Sequence, residues 1–331
     1  MKAICELDIG GRDEQQDSCK IFHKTYSTFI VLGDGMGGHK GGAVASKTLI
    51  YHSKLAYTLE AGHIVNPEKF FKSIIDNTMR ALEAYRTENI DTDPQTTCVL
   101  VLIQDNNVYS MHIGDSRVYV LDDNKYHWRT KDHSVVQMLL NLGEITEDEM
   151  ATHPDQNKLL KSLNSKKSVD GTFKITPLPY GRSMVLVCSD GFWEYISIEE
   201  MRRYGFGMDI DKALSQMVSL AKQRGGVDGD NISIAVSLQE TKKRIKLIST
   251  IGLSLFIILS LVSIKYLPLD FLQNIGVETS VSLNNVTKVP TPKSFAKSLL
   301  EDDKEENPKE KKLENNLTKK NNLLNEEKKC Q

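Results

Sequence analysis

Apolar runs alternate with charged and glycine-rich breaks along the first 240 positions, and the length and spacing of each run set the element it predicts. Phe29-Ile30-Val31-Leu32 is short, apolar and partly β-branched, the mark of a buried strand. Lys2–Asp8 (KAICELD) alternates and predicts a second strand. Thr97–Ile103 (TCVLVLI), Val108–Ile113, Val118–Leu121, Lys125–Thr130, Thr172–Leu178, Met184–Cys188 (MVLVC) and Ile232–Leu238 add more. Turns at Asp105-Asn106-Asn107, Gly114-Asp115-Ser116-Arg117 and Asp122-Asp123-Asn124 predict a β-meander, hence a largely antiparallel sheet.

Helical spacing marks Gly42–Leu59, with Ala45, Leu49, Tyr51, Leu55 and Leu59 as the expected apolar positions. Pro67 sits near the start of a second helix, which presents Phe70, Phe71, Ile74, Ile75, Met79, Leu82 and Tyr85. Two long amphipathic helices in succession must cover something flat, and the strands supply it. Ser134 predicts the N-cap of a helix reaching about Leu142, ended by Gly143. Ile198–Tyr204 and Ile210–Arg224 carry helical spacing as well. Asp13–Asp17 reads as a polar loop, and Glu144–Asp170 as an irregular surface excursion.

Past residue 240 the pattern changes. Four basic residues within Lys242–Lys246 precede Leu247–Ile264, eighteen residues without a charge, and Lys265 follows. That length approaches the minimum for crossing a hydrocarbon core of roughly 30 Å. The basic flank predicts a single-pass membrane protein with its folded part in the cytoplasm; a buried helix diluted by Ser and Thr is the alternative. The expected organisation is a folded domain over 1–240, a basic juxtamembrane segment over 241–246, a transmembrane helix over 247–267 and a polar, disordered tail over 268–331.

Composition adds three exclusions. A net charge of −2 gives no pull toward nucleic acid. Cys5, Cys19, Cys98, Cys188 and Cys330 are scattered without a CxxC pair, which predicts reduced, packing cysteines rather than a disulfide framework. Met1–Gly10 has no long apolar core, so no signal peptide is expected.

The chemistry lies in the breaks. Asp17, Asp34, Asp115, Asp190 and Asp230 each adjoin a predicted strand, and Asp34, Asp190 and Asp230 sit beside Gly or Asn. Alone, each is a turn former. Converging on one sheet edge, they would repel one another unless a cation sat among them. Oxygen ligands without His or Cys suit Mg²⁺ or Mn²⁺ rather than zinc.

The motifs GGRDEQQD (10–17), GDGMGGHKGGAVAS (33–46), Thr96-Thr97, IGDSRVY (113–119), DHS (132–134), GEIT with HP and N (143–157), VCSDGFWE (187–194) and GDNISIAV (229–236) occur in this order. Over residues 1–238 they resemble the metal-dependent type 2C (PPM) serine/threonine protein phosphatases of the bacterial branch. The resemblance implies an α+β fold, an αββα sandwich of two antiparallel sheets with a binuclear Mg²⁺ or Mn²⁺ centre in the cleft. It implies that Asp34 bridges two ions, that the Gly35 carbonyl ligates the second, and that Asp190 and Asp230 complete the first. Asp17 would act through bound waters, and Asp115 with Asp190 would hold a third, weaker ion. Arg12 would take the substrate phosphate, its alternative being an ion pair with Asp13 or Asp17.

Met36 stands where many eukaryotic members have His, and His39 is the nearest histidine, an aid to substrate binding or proton transfer or else a support for the turn. Gln16 stands where the family often has Glu, which removes a charge near the metals. Cys188, His133 and Ser134 are expected to be structural, and Glu144–Asp170 corresponds to a flap beside the site. The implied activity is hydrolysis of phosphoserine and phosphothreonine in proteins by a metal-activated water, opposing a protein kinase. The alternatives are a pseudophosphatase scaffold, or a chain whose main business is the targeting segment and tail.

Overall fold

The computed structural model describes residues 2–37, 41–166 and 168–241. His39 and everything predicted beyond residue 241, the basic flank, membrane span and tail, lie outside the described residues. Among the described residues no helix is long and apolar enough to cross a membrane.

In chain order the elements are β1 (Lys2–Asp8), β2 (Ser18–Lys24), β3 (Ser27–Gly33), β4 (Gly35–Met36), α1 (Gly41–Leu59), α2 (Pro67–Glu88), β5 (Gln95–Thr96), β6 (Cys98–Gln104), β7 (Asn107–Ile113), β8 (Arg117–Asp122) and β9 (Tyr126–Arg129). They continue as α3 (Val135–Leu142), β10 (Leu163–Asn164), β11 (Thr172–Pro177), β12 (Gly181–Cys188), α4 (Asp190–Trp193), α5 (Ile198–Gly207), α6 (Ile210–Gly225) and β13 (Ile232–Thr241). Two five-stranded sheets run in the orders β1-β13-β12-β8-β9 and β11-β7-β6-β3-β2, and a small third one runs β10-β5-β4. All strand pairs among them are antiparallel.

Strand parity explains the layers. In β3, Phe29 and Val31 pack with Leu49, Phe71 and Ile74 of α1 and α2. The alternate residues Ile30 and Leu32 pack with Val118, Val120, Val185, Val187 and Ala235 of the other sheet. That sheet turns Tyr119, Leu121, Leu186 and Val236 toward Met201 of α5 and Leu214 and Met217 of α6. A strand covered on both faces needs an apolar residue at every position, which is why these runs are continuous rather than alternating. The layers are helix, sheet, sheet, helix.

Three expectations change. The β-meander is interrupted: β6 and β7 form a hairpin through Asp105 and Asn106, both at positive φ, but β7 and β8 belong to different sheets. At Gly114, φ is +101° and the chain leaves one sheet for the other, a backbone state that favours glycine. The buried face of α1 is Ala45, Leu49, Ser53 and Tyr57, whereas Tyr51, Leu55 and Leu59 are 62%, 47% and 77% exposed. Its first turn is set by small residues that let it approach the site. The loop predicted over Asp13–Asp17 leads into a strand that the sequence reading omitted, β2. At the sheet's edge, its exposed Lys20 and His23 dilute the signal. The helix over Val135–Leu142 is as expected, with the Ser134 side chain accepting from Gln137 N and Gly143 at φ 75°.

Candidate active site

Register brings the breaks together. Ser18 pairs with Gly33, so Asp17 and Asp34 end neighbouring strands. Asp8 pairs with Ile232, which sets the Arg12 loop beside Asp230. Cys188 pairs with Ile234 and with Arg117, aligning Asp190, Asp230 and Asp115 at the same end of the second sheet. Arg12, Asp34, Gly35, Asp115, Asp190 and Asp230 consequently line a single cavity of about 580 Å³. Asp17 lies buried behind them at 4% exposure. Asn157 and Leu159 of the Glu144–Asp170 excursion form part of the wall.

Asp34 is clamped through its backbone. Thr97 N donates to the Asp34 carbonyl at 2.8 Å, Asp34 N donates to Thr97 Oγ1 at 2.9 Å, and Thr96 Oγ1 donates to the same carbonyl at 2.9 Å. A Cβ on Gly35 would sit 2.3 Å from Gly42 O and 2.5 Å from Gln16 O, so only glycine permits α1 and the Arg12 loop to close on this strand end. Arg12 Nη2 reaches Asp230 Oδ2 at 2.8 Å. That contact replaces the ion pair with Asp13 or Asp17 that the sequence left open, because the loop folds over the start of β13.

Burial, and then Asp17, Asp190, Asp115 and Asp230, hold the Asp34 carboxyl well above the ordinary value. Burial, followed by Asp190 and Asp132, does the same to Asp115. Asp17 is pushed up to about 8 by burial, opposed by hydrogen bonds from Ser189 and Ser233 and reinforced by Asp190 and Asp230. Burial and Asp230 raise Asp190 to about 6, and its side chain shares a hydrogen bond with Asp34. One carboxylate oxygen, Asp17 Oδ2, is buried without a partner. Among the described residues no three His, Cys, Asp or Glu side chains stand as a formed ion site. The donor set, all oxygen, mutually repelling and holding an orphaned buried carboxylate atom, fits hard divalent cations.

Several site residues were absent from the sequence reading. Asn231 Oδ1 accepts from Gln16 N at 2.7 Å, while its Nδ2 donates to Ile9 O at 2.9 Å and Glu14 O at 3.0 Å. It therefore stitches the Arg12 loop to Asp230. Its signal was its place directly after Asp230. Replacing it with Ala is expected to cost about 2 kcal/mol, since three part-buried backbone groups lose partners; urea unfolding of the metal-free protein measures it. Glu194, one turn beyond Asp190, is pushed up to about 8 by burial and by Asp190 and Asp230. Arg117 grips Asp132 with Nε at 3.0 Å and Nη2 at 2.6 Å and stacks 3.4 Å from the Trp193 ring, whose Nε1 donates to Asp115 O at 3.0 Å. His133 accepts from Gly114 N through Nδ1 at 3.2 Å and supports the same crossover. Cys188 is fully buried on the helix side of its sheet, where burial pushes its thiol up.

The family model for protein phosphatase 2C matches residues 10–225. The chain belongs to the protein phosphatase 2C family. It is similar to the protein phosphatase PhpP of Streptococcus pneumoniae, 32% identical over 239 residues that span 70% of this chain and 96% of PhpP. Among solved structures, the serine/threonine phosphatase Stp1 of Staphylococcus aureus superposes with a TM-score of 0.64 at 31% identity, covering 72% of this chain and 95% of Stp1. The catalytic domain of the serine/threonine phosphatase PstP, solved in complex with two manganese ions, gives 0.62 at 26% identity, covering 72% and 98%. Family membership makes this chain a protein serine/threonine phosphatase, and Arg12, Asp34, Asp115 and Asp190 of the cavity fall within the matched residues.

Proposed function

We propose that this phosphatase hydrolyses phosphoserine and phosphothreonine in proteins, opposing a protein kinase, at the aspartate cavity loaded with two Mn²⁺ or Mg²⁺ ions. The observation that carries the reading is the convergence of Asp34, Asp115, Asp190 and Asp230 on one cavity with Arg12 at its mouth. The two manganese ions in PstP support the choice of metal. Asp34, the Gly35 carbonyl, Asp190 and Asp230 would hold the pair, with Asp17 behind them and Asp115 with Asp190 at a third, weaker position. Bound there, the ions supply an activated water at neutral pH and offset charge on the phosphoryl group.

The chain's own residues supply position. Arg12, exposed and paired with Asp230 by one arm, has donors left for a phosphate dianion. Asn231 fixes the loop that carries it, and Asn157 and Leu159 offer a wall to the substrate polypeptide. His39 is assigned to substrate binding or proton transfer. The full chain should release phosphate from a phosphothreonine peptide with Mn²⁺ and not with chelator. Arg12→Lys should raise KM roughly tenfold, since a point charge replaces the guanidinium fork. Peptide binding without turnover across Mn²⁺ and Mg²⁺ would establish the scaffold reading instead.

Residues 247–267 are proposed to tether the enzyme to a membrane with residues 1–240 in the cytoplasm, on the strength of the uncharged run and its basic flank. On fractionation the full chain is expected with membranes and a chain ending at Glu240 in the soluble fraction. Equal solubility of both would refute the tether.

A further inference from the structure

Two of the cysteines meet. Cys5 lies in β1 and Cys19 in β2, the edge strands of the two large sheets, which face each other across the open side of the sandwich. Cys19 belongs to the apolar layer between the sheets, and Cys5 packs against that same layer. The Cys5 thiol donates to Cys19 O at 3.9 Å, which brings the two residues side by side across the sheets. Cys98 and Cys188 sit instead in the two outer layers, each under its own helix pair. Cys5 is partly open to solvent and Cys19 is buried, so an oxidant reaches one thiol and the other is held in reserve.

We propose that Cys5 and Cys19 form a reversible modification site, closing to an intramolecular disulfide under hydrogen peroxide and so stapling the two sheets at the strand that begins just after Asp17. The Cys5 sulfur attacks a peroxide oxygen, the O–O bond breaks, and a sulfenic acid forms with release of one water. The Cys19 thiol then attacks that sulfur; the S–O bond breaks and the hydroxyl leaves with the Cys19 proton as a second water. Two thiols are oxidised by two electrons and one peroxide is reduced to two waters. The neighbouring Cys19 side chain, and after it the charge of Lys20, hold the Cys5 thiol down at about 7 against the effect of burial, which keeps a share of it as the nucleophilic thiolate at neutral pH. A dithiol reductant restores both thiols.

Trypsin separates the pair, since Ala3–Arg12 carries Cys5 and Asp13–Lys20 carries Cys19. Full-length protein with Cys330→Ser is treated with hydrogen peroxide, digested without reductant and analysed by mass spectrometry. The expected product is the two peptides joined with loss of two hydrogens, absent in Cys5→Ser and reversed by dithiothreitol. The oxidised protein should melt about 5 °C or more above the reduced one, as closing a loop of this length restricts the unfolded chain. Cys5 recovered as sulfinic acid with no joined peptide, or a joined peptide with an unchanged melting temperature, would overturn the staple.

Discussion

Asp34→Asn is expected to raise the melting temperature of the metal-free enzyme while lowering its Mn²⁺-dependent turnover roughly a thousandfold. The two effects share a cause. Burial and four neighbouring aspartates hold the Asp34 carboxyl well above its ordinary value, so ionising it in the metal-free fold opposes folding. An amide of the same shape removes that charge and keeps the backbone clamp from Thr96 and Thr97. It also removes the anion best placed to hold a cation. Calorimetry with chelator and phosphate release with Mn²⁺ test the two halves separately. A variant that is both less stable and inactive would show that Asp34 serves packing, and one that is fully active would dissociate the cavity from catalysis.

Mn²⁺ binding at pH 7 is expected to expel about one proton or more, and the affinity to fall as pH drops from 8 toward 6. Asp17 is held at about 8 and Asp190 at about 6 in the metal-free fold, against an ordinary 3.8. Between the ordinary and the raised values, the folded chain binds more protons than the unfolded one. Stability of the metal-free enzyme therefore falls as pH rises from about 4 to about 8. A cation reverses this by favouring the deprotonated carboxylates, so its stabilising effect should be greatest at the alkaline end. Titration calorimetry in two buffers of different ionisation enthalpy gives the proton count directly. Identical heats in both would contradict the geometry.

Much of the site was legible because strand-end carboxylates beside glycine are local features. Asp34 and Asp190 each follow an apolar run that could only be a buried strand, and the motif order carried Arg12, Asp115 and Asp230 with them. Errors arose where the signal was not local. Tyr51, Leu55 and Leu59 have helical spacing yet face solvent, because close approach of α1 to Gly35 selects the face with Gly42, Ala45 and Ser46. Nothing in β7 or β8 alone announces that the chain changes sheets at Gly114. Asn231 looks like an ordinary turn residue until its three partners, more than two hundred positions away, are in place.

By itself, the sequence determined where the long buried strands and most of the helices form, which positions are acidic at their ends, and the family to which that order belongs. These depend on residue type, period and spacing, which act over a few positions at a time. The tertiary structure alone decided which strand ends share a cavity, that Arg12 pairs with Asp230, and that Cys5 meets Cys19. Those outcomes depend on register and on the stacking of two sheets, which bring together groups with no relation along the chain.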